Sequence, residues 1–251
     1  MRCLITGGGG FLGYHLTKSL LENGYKVRCL DRYKPSWMQE CNVEFVKGDF
    51  SATHLTAEII EGCDVIFHLA CTTLPQTSND DPDFDISSNV LGTVRMLDEA
   101  VKSKVKKFIF ISSGGTVYGV PSIIPTPETH PTNPTCSYGI TKLMIEKYLR
   151  LYFQLHGLST CSMRLSNPYG EYQRFDSIQG AVAVFCYKAI TGQPIQIWGD
   201  GSIKRDFIYV SDVIDAMIKV IDCPISGCEV NIGSGKAISI NGIVDNIEGL
   251  L

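Results

Sequence analysis

A run of glycines close to the N-terminus constrains the fold of this chain more than any other feature. The short apolar segment Met1–Thr6 leads into Gly7-Gly8-Gly9-Gly10-Phe11-Leu12-Gly13, and leucines at positions 12, 16 and 20 then follow a helical spacing. This order of strand, glycine loop and helix is typical of a dinucleotide site, because a tight turn lets the main chain approach a pyrophosphate and the helix N-terminus supplies free N–H groups. Two registers fit the glycines, Gly8-x-Gly10-x-x-Gly13 and Gly7-x-x-Gly10-x-x-Gly13.

A carboxylate after the second apolar segment predicts which dinucleotide binds. Val27–Leu30 is followed by Asp31, 18 residues beyond Gly13. At this position a carboxylate accepts the two hydroxyls of an adenosine ribose and repels a 2′-phosphate. The sequence therefore favours NAD over NADP, although the neighbouring Arg32 is a side chain that would suit a phosphate.

Composition excludes several classes of partner. The chain has 251 residues, a net charge of −4 and 44% hydrophobic residues, and this mild acidity predicts neither a nucleic acid nor a membrane as partner. We expect no membrane-spanning segment, and no signal peptide, because the first residues already form a strand. Ten scattered cysteines without C-x-x-C predict reduced thiols in a cytoplasmic protein, and five isolated histidines predict no metal site.

Strand-like and helix-like segments alternate through the first two-thirds of the chain. This alternation predicts an α/β fold, a doubly wound parallel sheet of the Rossmann type with helices on both faces. The predicted strands, after those ending at Thr6 and Leu30, are Val43–Val46, Val65–Leu69, Phe108–Ile111 and Thr160–Arg164, and the longest predicted helices are Phe84–Val101 and Tyr138–Phe153.

The regular alternation fails after Asn167-Pro168-Tyr169-Gly170. We therefore predict a dinucleotide-binding domain at 1–166 and a smaller substrate-binding lobe at 167–251, parts of which pack back on the first domain. The short elements predicted there are Ala181–Ile190, Ile195–Trp198, Phe207–Val210, Val213–Ile221 and Val230–Ile232, followed by a helix that Ser239 caps.

The sequence Tyr138-Gly139-Ile140-Thr141-Lys142 carries the prediction of an enzyme. Residues i and i+4 share a helix face, so the ammonium of Lys142 is expected near the phenol of Tyr138, where a cation lowers a tyrosine pKa. A tyrosine tuned in this way takes a proton from a sugar hydroxyl near neutral pH. Alone, this spacing is more often a packed tyrosine beside a solvated lysine. The hydroxyl-rich loop Ser112–Gly119, after an apolar strand, makes the catalytic interpretation the stronger one.

With these motifs the chain resembles the extended short-chain dehydrogenase/reductases of the NAD-dependent nucleotide-sugar epimerase/dehydratase family. The resemblance runs almost end to end. Besides the glycine loop, Ser112–Gly119 and Tyr138–Lys142, its markers are Gly48-Asp49, His68-Leu69-Ala70, Asn89–Thr93, Arg164–Gly170, Gly199–Ser202 with Arg205-Asp206, and Asn231–Gly233.

The resemblance implies roles for individual residues. The implied NAD-binding residues are Gly7, Gly10, Phe11, Leu12, Gly13, Asp31, Arg32, Asp49, Phe50, Leu69, Ala70, Asn89, Ser112, Tyr138 and Lys142. The implied substrate-binding residues are Asn167, Gln179, Gly180 and Arg205, the last suited to a diphosphate by its planar guanidinium. Simpler roles stay open, since Asp49 could be a turn residue, His68 a packed strand residue and Asn89 a helix brace.

Three comparisons with the family pattern bear on the activity of this chain. UDP-galactose 4-epimerases of the family carry the hydroxyl that assists the tyrosine where this chain has Gly114, so Ser113 is the first candidate and Thr116 the second. Family dehydratases carry an acidic pair where this chain has Gly115 and Thr116, which favours an epimerase. Family members also continue beyond the last motif, so the resemblance implies a shortened substrate lobe.

The resemblance implies an isomerase that acts on a UDP-hexose such as UDP-glucose or UDP-galactose through a 4-keto intermediate. The alternatives are a 4-ketoreductase, a dehydratase and a non-catalytic dinucleotide-binding protein. A homodimer is compatible with the resemblance.

Overall fold

The structure is a computed structural model that describes residues 1–52, 56–176 and 180–250. Its strands are β1 (Arg2–Thr6), β2 (Lys26–Asp31), β3 (Glu44–Lys47), β4 (Val65–His68), β5 (Lys107–Ser113), β6 (Ser159–Leu165), β7 (Asn167–Tyr169), β8 (Lys204–Tyr209), β9 (Cys228–Ile232) and β10 (Ala237–Ser239). Its α-helices are α1 (Phe11–Glu22), α2 (Thr56–Ile60), α3 (Pro82–Asp85), α4 (Gly92–Lys102), α5 (Ser137–His156), α6 (Ala181–Ile190), α7 (Val210–Asp222) and α8 (Ile240–Glu248). None of the helices within the described ranges has the length and apolarity needed to cross a membrane.

A seven-stranded parallel sheet forms the centre of the molecule. Its strand order is β3-β2-β1-β4-β5-β6-β9, and every neighbouring pair is parallel. The chain winds outward from β1 in one direction to β3 and then in the other direction from β4, so the order reverses between β1 and β4. This is the doubly wound Rossmann arrangement that the alternation of strands and helices predicted, and ligands bind in such sheets at the carboxyl ends of the strands where the order reverses.

Side chains of the sheet alternate between two apolar layers because successive strand residues point to opposite faces. On one face, Ile5, Phe67 and Ile109 pack against α1 and α7. On the other face, Leu4, Ile66 and Phe108 pack against α2, α4 and α5. Burial on both faces explains the nearly continuous apolar runs in these strands, as is usual for parallel sheets.

The predicted helix over Phe84–Val101 is a continuous helical stretch in the structure. It begins with α3, passes through π-helical turns at Ile86–Leu91 and ends with α4. Asp81 caps its start, since its side chain accepts a hydrogen bond from the N–H of Phe84 at 2.9 Å. The π-helical turns place Asn89 and Val90 in the interior.

A smaller sheet and two helices lie at the carboxyl edge of the large sheet. Strand β8 lies between β7, which is parallel to it, and β10, which is antiparallel. Helices α6 and α8 share an apolar cluster of their own, and Ser239 caps α8 as predicted by accepting from the N–H of Gly242 at 3.0 Å. The element predicted at Ile195–Trp198 was wrong, because this segment is irregular.

Strand β9 and helix α7 both follow residue 166 and are associated with the large sheet. The strand extends the sheet and the helix covers one of its faces. Strand β9 pairs with β6 along its whole length, from Cys161 opposite Cys228 to Leu165 opposite Ile232. Helix α7 packs with α1 on the same face of the sheet. Among the described elements that follow residue 166, those left to the smaller lobe are therefore β7, β8, β10, α6 and α8.

Candidate active site

An open crevice lies between the carboxyl ends of β1 and β4, where the strand order reverses. It is lined by Thr6, Gly7, Gly10, Leu30, Asp31, Arg32, Gly48, Asp49, Phe50, Leu69, Ala70, Cys71 and Thr72. Eight of the residues assigned to cofactor binding from the sequence are among these, and Phe11, Leu12 and Gly13 follow directly on α1. We call this space the β1–β4 crevice.

Gly7 and Gly13 occupy positions where the side chain of any other residue would clash with the main chain. Gly7 has a φ of +71°, and a Cβ there would lie 2.9 Å from the main-chain nitrogen of Ala70. A Cβ on Gly13 would lie 2.5 Å from the carbonyl oxygen of Gly8, so only glycine lets α1 start this close to the loop. Gly10 precedes α1 and lines the crevice. A Cβ on Gly8 would lie 2.7 Å from Sγ of Cys29, so the structure accommodates both registers of the glycine motif. The cradle that the missing side chains leave fits a pyrophosphate.

Asp31 lies at the end of β2, on the wall of the crevice. Its Oδ2 accepts a hydrogen bond from the N–H of Gly9 at 2.9 Å, which orients the carboxylate. Arg32 also lines the crevice but is exposed. The carboxylate is thus the better oriented of the two charged groups at this wall.

His68 is a packed residue beneath the crevice and is only 1% exposed. Its Nδ1 lies 2.7 Å from Oγ1 of Thr6 and its Nε2 lies 2.9 Å from Oγ1 of Thr93. Because the Thr93 hydroxyl donates to the carbonyl of Asn89 at 2.6 Å, it accepts from Nε2–H, and Nδ1 accepts from Thr6. Burial, together with the charge of Lys142, lowers the pKa of His68 to about 3, so the ring is neutral and does not serve as a proton acceptor in the crevice.

Asn89 does not line the crevice and acts on it indirectly. Its Oδ1 accepts from the N–H of Thr72 at 3.0 Å, and its Nδ2 donates to Asp85 at 2.8 Å. Thr72 is part of the crevice wall. The structure therefore gives Asn89 the bracing role that the sequence left open.

Tyr138 and Lys142 meet on the first turns of α5, as their spacing predicts. The Nζ of Lys142 lies 5.4 Å from the centre of the Tyr138 ring and donates to the carbonyl of Ile111 at 2.7 Å. Lys142 is 4% exposed, and burial lowers its pKa. The expectation that the lysine lowers the pKa of Tyr138 was wrong for the protein alone. Burial raises that pKa well above its ordinary value, and the nearby groups of Cys71, Cys136 and Asp85 add to the increase.

The segment Ser112–Gly119 presents the hydroxyl of Ser113 and encloses those of Ser112 and Thr116. The hydroxyl of Ser112 donates to Oε1 of Glu146 at 2.6 Å, so its proton is not available to a cofactor. Ser113 is half-buried, and its hydroxyl forms no hydrogen bond with another described residue. The Thr116 hydroxyl also lacks a partner among the described residues, but its oxygen is completely buried. Ser113 therefore offers the more accessible hydroxyl.

Gly114 occupies a narrow position behind this loop. Its N–H donates to the carbonyl of Leu165 at 2.8 Å, and a Cβ there would lie 3.3 Å from the carbonyl oxygens of Arg164 and Leu165. A side chain would fit only after a shift of a few tenths of an ångström.

A buried ion pair that the sequence did not reveal supports the same loop. Arg164 donates to both carboxylate oxygens of Glu146, at 3.0 and 2.6 Å, and the two side chains are 3% and 0% exposed. Arg164 also donates to the hydroxyl of Tyr118 at 2.8 Å. The pair thus fixes both ends of the loop, through Ser112 and Tyr118. A long-range ion pair leaves no local signal, because Glu146 looks like one charge on an amphipathic helix.

The residues assigned to substrate binding lie around the small sheet. The Nδ2 of Asn167 donates to the carbonyl of Asp206 at 2.8 Å, and no other described residue donates a hydrogen bond to its Oδ1. Arg205 is exposed on β8, and within the described part of the chain it donates only to the carbonyl of its neighbour Lys204. Gly180 precedes α6 with a φ of +91°. Gln179 lies outside the described residues.

Comparisons with known proteins show which proteins this chain is similar to. The profile of the NAD dependent epimerase/dehydratase family matches residues 3–233. A UDP-glucose 4-epimerase of Mycolicibacterium smegmatis is 37% identical over 99% of this chain and 82% of its own length. A dTDP-4-dehydro-6-deoxyglucose reductase of Escherichia coli is 35% identical over 98% of this chain and 80% of its own. The crystal structure of the Thermotoga maritima UDP-glucose 4-epimerase with UDP-glucose has 32% identity and a TM-score of 0.95, and the match covers 100% of this chain and 82% of that one. Other relatives are decarboxylases and dehydratases, and several related structures contain NAD.

Proposed function

The chain belongs to the NAD dependent epimerase/dehydratase family, and on that premise we propose that it is a nucleotide-sugar 4-epimerase acting on a UDP-hexose through a 4-keto intermediate. The arrangement of Tyr138, Lys142 and Ser113 at the carboxyl edge of the sheet, beside the β1–β4 crevice, carries this proposal. The cofactor of the family is NAD.

Residues of the crevice hold the cofactor in this proposal. The glycine cradle at Gly7, Gly10 and Gly13 receives the pyrophosphate at the start of α1, and Asp31 receives the adenosine ribose. Bound NAD would supply reversible hydride transfer at the sugar, with no net redox change over the cycle. The protein contributes binding, orientation and proton transfer.

Tyr138 is the proposed acceptor of the 4-hydroxyl proton. Its raised pKa means that the protein alone keeps it protonated at neutral pH, so ionisation needs a compensating positive charge. Lys142 supplies one such charge within the site, and the carbonyl of Ile111 fixes its position. The side chain of Ser113, at the end of β5, is half-buried, and its hydroxyl would orient the reacting hydroxyl of the sugar.

The loop after β5 favours epimerisation over the other reactions of the family. Elimination of water from a sugar needs an additional acid and base, and the loop Ser112–Gly119 contains no carboxylate. Epimerisation needs only one tyrosine, which removes a proton and later returns it. A net 4-ketoreductase is the second candidate, because the E. coli relative is a dTDP-4-dehydro-6-deoxyglucose reductase.

The substrate class and the setting are also proposed. Arg205 is exposed on β8 and free to bind a diphosphate, and the T. maritima relative was solved with UDP-glucose. Asn167, Gly180 and Gln179 are proposed to contribute to the same binding lobe at 167–251. All ten cysteines are free, which suits a cytoplasmic location, and a homodimer stays a prediction.

The test measures the interconversion of UDP-glucose and UDP-galactose by the purified protein with NAD. The absorbance at 340 nm, which reports NADH, is followed at the same time. We expect epimerisation without net accumulation or consumption of NADH. Tyr138→Phe should retain the fold and NAD binding but lose turnover by ~10²–10⁴-fold, the usual contribution of a general acid–base group. Tyr148→Phe is the matched control, since Tyr148 lies on the same helix and packs into the apolar layer instead.

Three outcomes would contradict the proposal. Net consumption of NADH with a 4-keto sugar would identify a reductase. NAD binding without turnover of any nucleotide sugar would identify a non-catalytic protein. Wild-type rates in Tyr138→Phe would exclude the proposed mechanism.

A further inference from the structure

Asp85 is a buried carboxylate that takes no part in the proposed cofactor binding or proton transfer. It lies at the end of α3 and has no exposed surface. No lysine or arginine in the described part of the chain forms an ion pair with it. Burial of a charge is costly unless hydrogen bonds compensate it, so its partners indicate what the group does.

One set of partners belongs to the segment that follows β4. The hydroxyl of Thr73 donates to Oδ1 of Asp85 at 2.6 Å, and Nδ2 of Asn89 donates to the same oxygen at 2.8 Å. Asn89 in turn accepts from the N–H of Thr72, which lines the β1–β4 crevice. Through these bonds Oδ1 holds the wall of the cofactor crevice.

The other set belongs to the first turns of α5. The hydroxyl of Ser137 donates to Oδ2 of Asp85 at 2.6 Å, and the hydroxyl of Thr141 lies 3.4 Å from the same oxygen. Ser137 precedes Tyr138, and Thr141 precedes Lys142. Oδ2 therefore holds the helix turn that carries both proposed catalytic side chains.

The start of α5 depends on this neighbourhood. The residue before the helix, Cys136, provides no side-chain cap. Instead the N–H of Ser137 donates to Oδ1 of Asn79 at 2.9 Å, and the N–H of Tyr138 donates to the hydroxyl of Ser78 at 3.0 Å. The segment between β4 and α3 thus caps α5 from outside, and Asp85 is the charged member of this contact.

We infer that Asp85 is a positioning residue of the active site, whose two oxygens tie the cofactor-binding wall after β4 to the helix turn that carries Tyr138 and Lys142. The inference rests on the proposed function for its effect on turnover. Positioning of this kind affects rate strongly, because a displacement of about 1 Å at a reacting group costs up to ~10²-fold.

The charge of Asp85 adds an effect that a packing role would not have. The titratable and charged groups that face Tyr138 are Cys71, Cys136, Asp85 and Lys142, and the carboxylate of Asp85 raises the pKa of both Tyr138 and Lys142. Removal of this negative charge lowers the pKa of Tyr138. The low-pH limb of the rate profile then moves to lower pH, although the maximal rate falls.

The experiment compares Asp85→Asn with Asp83→Asn. Asparagine has nearly the same size, but its NH₂ group only donates, so its single oxygen can accept from Ser137 or from Thr73 but not from both sides. Asp83 lies on the same short helix and is exposed, so its variant is a matched control. We expect Asp85→Asn to lower kcat about 10- to 100-fold and to move the low-pH limb of kcat/KM to lower pH, whereas Asp83→Asn changes neither. A folded Asp85→Asn with wild-type kcat and an unchanged pH profile would overturn the inference.

If Asp85→Asn fails to fold, two milder variants test the inference, since each removes one hydrogen bond to Asp85. Ser137→Ala removes only the bond to α5, and we expect a lower kcat with NAD affinity unchanged. Thr73→Val removes only the bond to the crevice wall, and we expect weaker NAD binding with kcat retained at saturating NAD. Wild-type kinetics and affinity in both variants would overturn the inference.

A further measurement separates this inference from the proposed function. With ¹³C-labelled tyrosine, the Tyr138 signal is identified by its loss in Tyr138→Phe and titrated without any substrate. A lower pKa of Tyr138 in Asp85→Asn supports the link even if the wild type epimerises no nucleotide sugar. An unchanged titration contradicts the link even if the wild type is an active epimerase.

Discussion

Replacement of His68 should remove a large part of the sensitivity of this fold to acid. The ring is buried between Thr6 and Thr93, and burial lowers its pKa from the ordinary 6.5 to about 3. In the unfolded chain the same ring binds a proton below pH 6.5. His68 therefore stabilises the fold at pH values above 6.5, and this contribution is lost as the pH falls, because protonation then favours the unfolded chain.

The size of the effect follows from the two pKa values. At pH 4.5 the unfolded ring is two pH units below its ordinary pKa of 6.5, whereas the folded ring, with a pKa of about 3, is still neutral. Each unit corresponds to about 1.4 kcal/mol, so His68 alone should remove about 3 kcal/mol from the free energy of unfolding between pH 7.5 and pH 4.5.

The assay is urea unfolding followed by circular dichroism at a series of pH values between these limits. His68→Asn keeps an acceptor for Thr6 but cannot titrate. Its free energy of unfolding should be lower than that of the wild type at pH 7.5, yet should fall by about 3 kcal/mol less on acidification. His156→Asn, which replaces an exposed ring, should behave like the wild type. Equal losses in His68→Asn and the wild type would refute the reasoning.

Three further predictions concern the site. In calorimetric titrations the protein should bind NAD at least tenfold more tightly than NADP, a difference of about 1.4 kcal/mol in binding free energy. Asp31→Ala should reduce this ratio of affinities. Equal affinities for NAD and NADP in the wild type would contradict the role of the carboxylate. Ser113→Ala should slow turnover clearly and Thr116→Val should not, because the Thr116 hydroxyl is buried; steady-state kinetics with the opposite order would show that Thr116 is the assisting residue. Arg164→Met leaves a buried carboxylate unpaired and should destabilise the fold by roughly 3–5 kcal/mol in urea unfolding, whereas the exposed Arg174→Met should have no measurable effect.

Some residues of the site could be found from the sequence because their signals are local. The glycine loop, the carboxylate at the end of β2 and the spacing of Tyr138 and Lys142 each depend on a few neighbouring residues. Strand and helix periodicity fixes which side chains share a face, so the doubly wound sheet also follows from the sequence. The position of Asp31 on the crevice wall needed only the end of an apolar run and a count of residues.

Other properties were decided by contacts between distant parts of the chain. Ser137 and Asp85 are 52 residues apart, and Arg164 and Glu146 are 18 apart on different elements. Asp85 and Asn89 do share a helix face by their spacing of four, but nothing local shows that this face is buried.

The pKa of Tyr138 shows this division most clearly. The sequence determined that a cation lies near the phenol, because the separation of i and i+4 is fixed by helix geometry. Whether that cation sets the pKa depends on how much water the phenol loses and on which acidic groups surround it. Burial and the groups of Cys71, Cys136 and Asp85 outweigh the lysine in the protein alone. The sequence thus determined which groups are present, and the tertiary structure decided their pKa values, because desolvation depends on every element packed around a group.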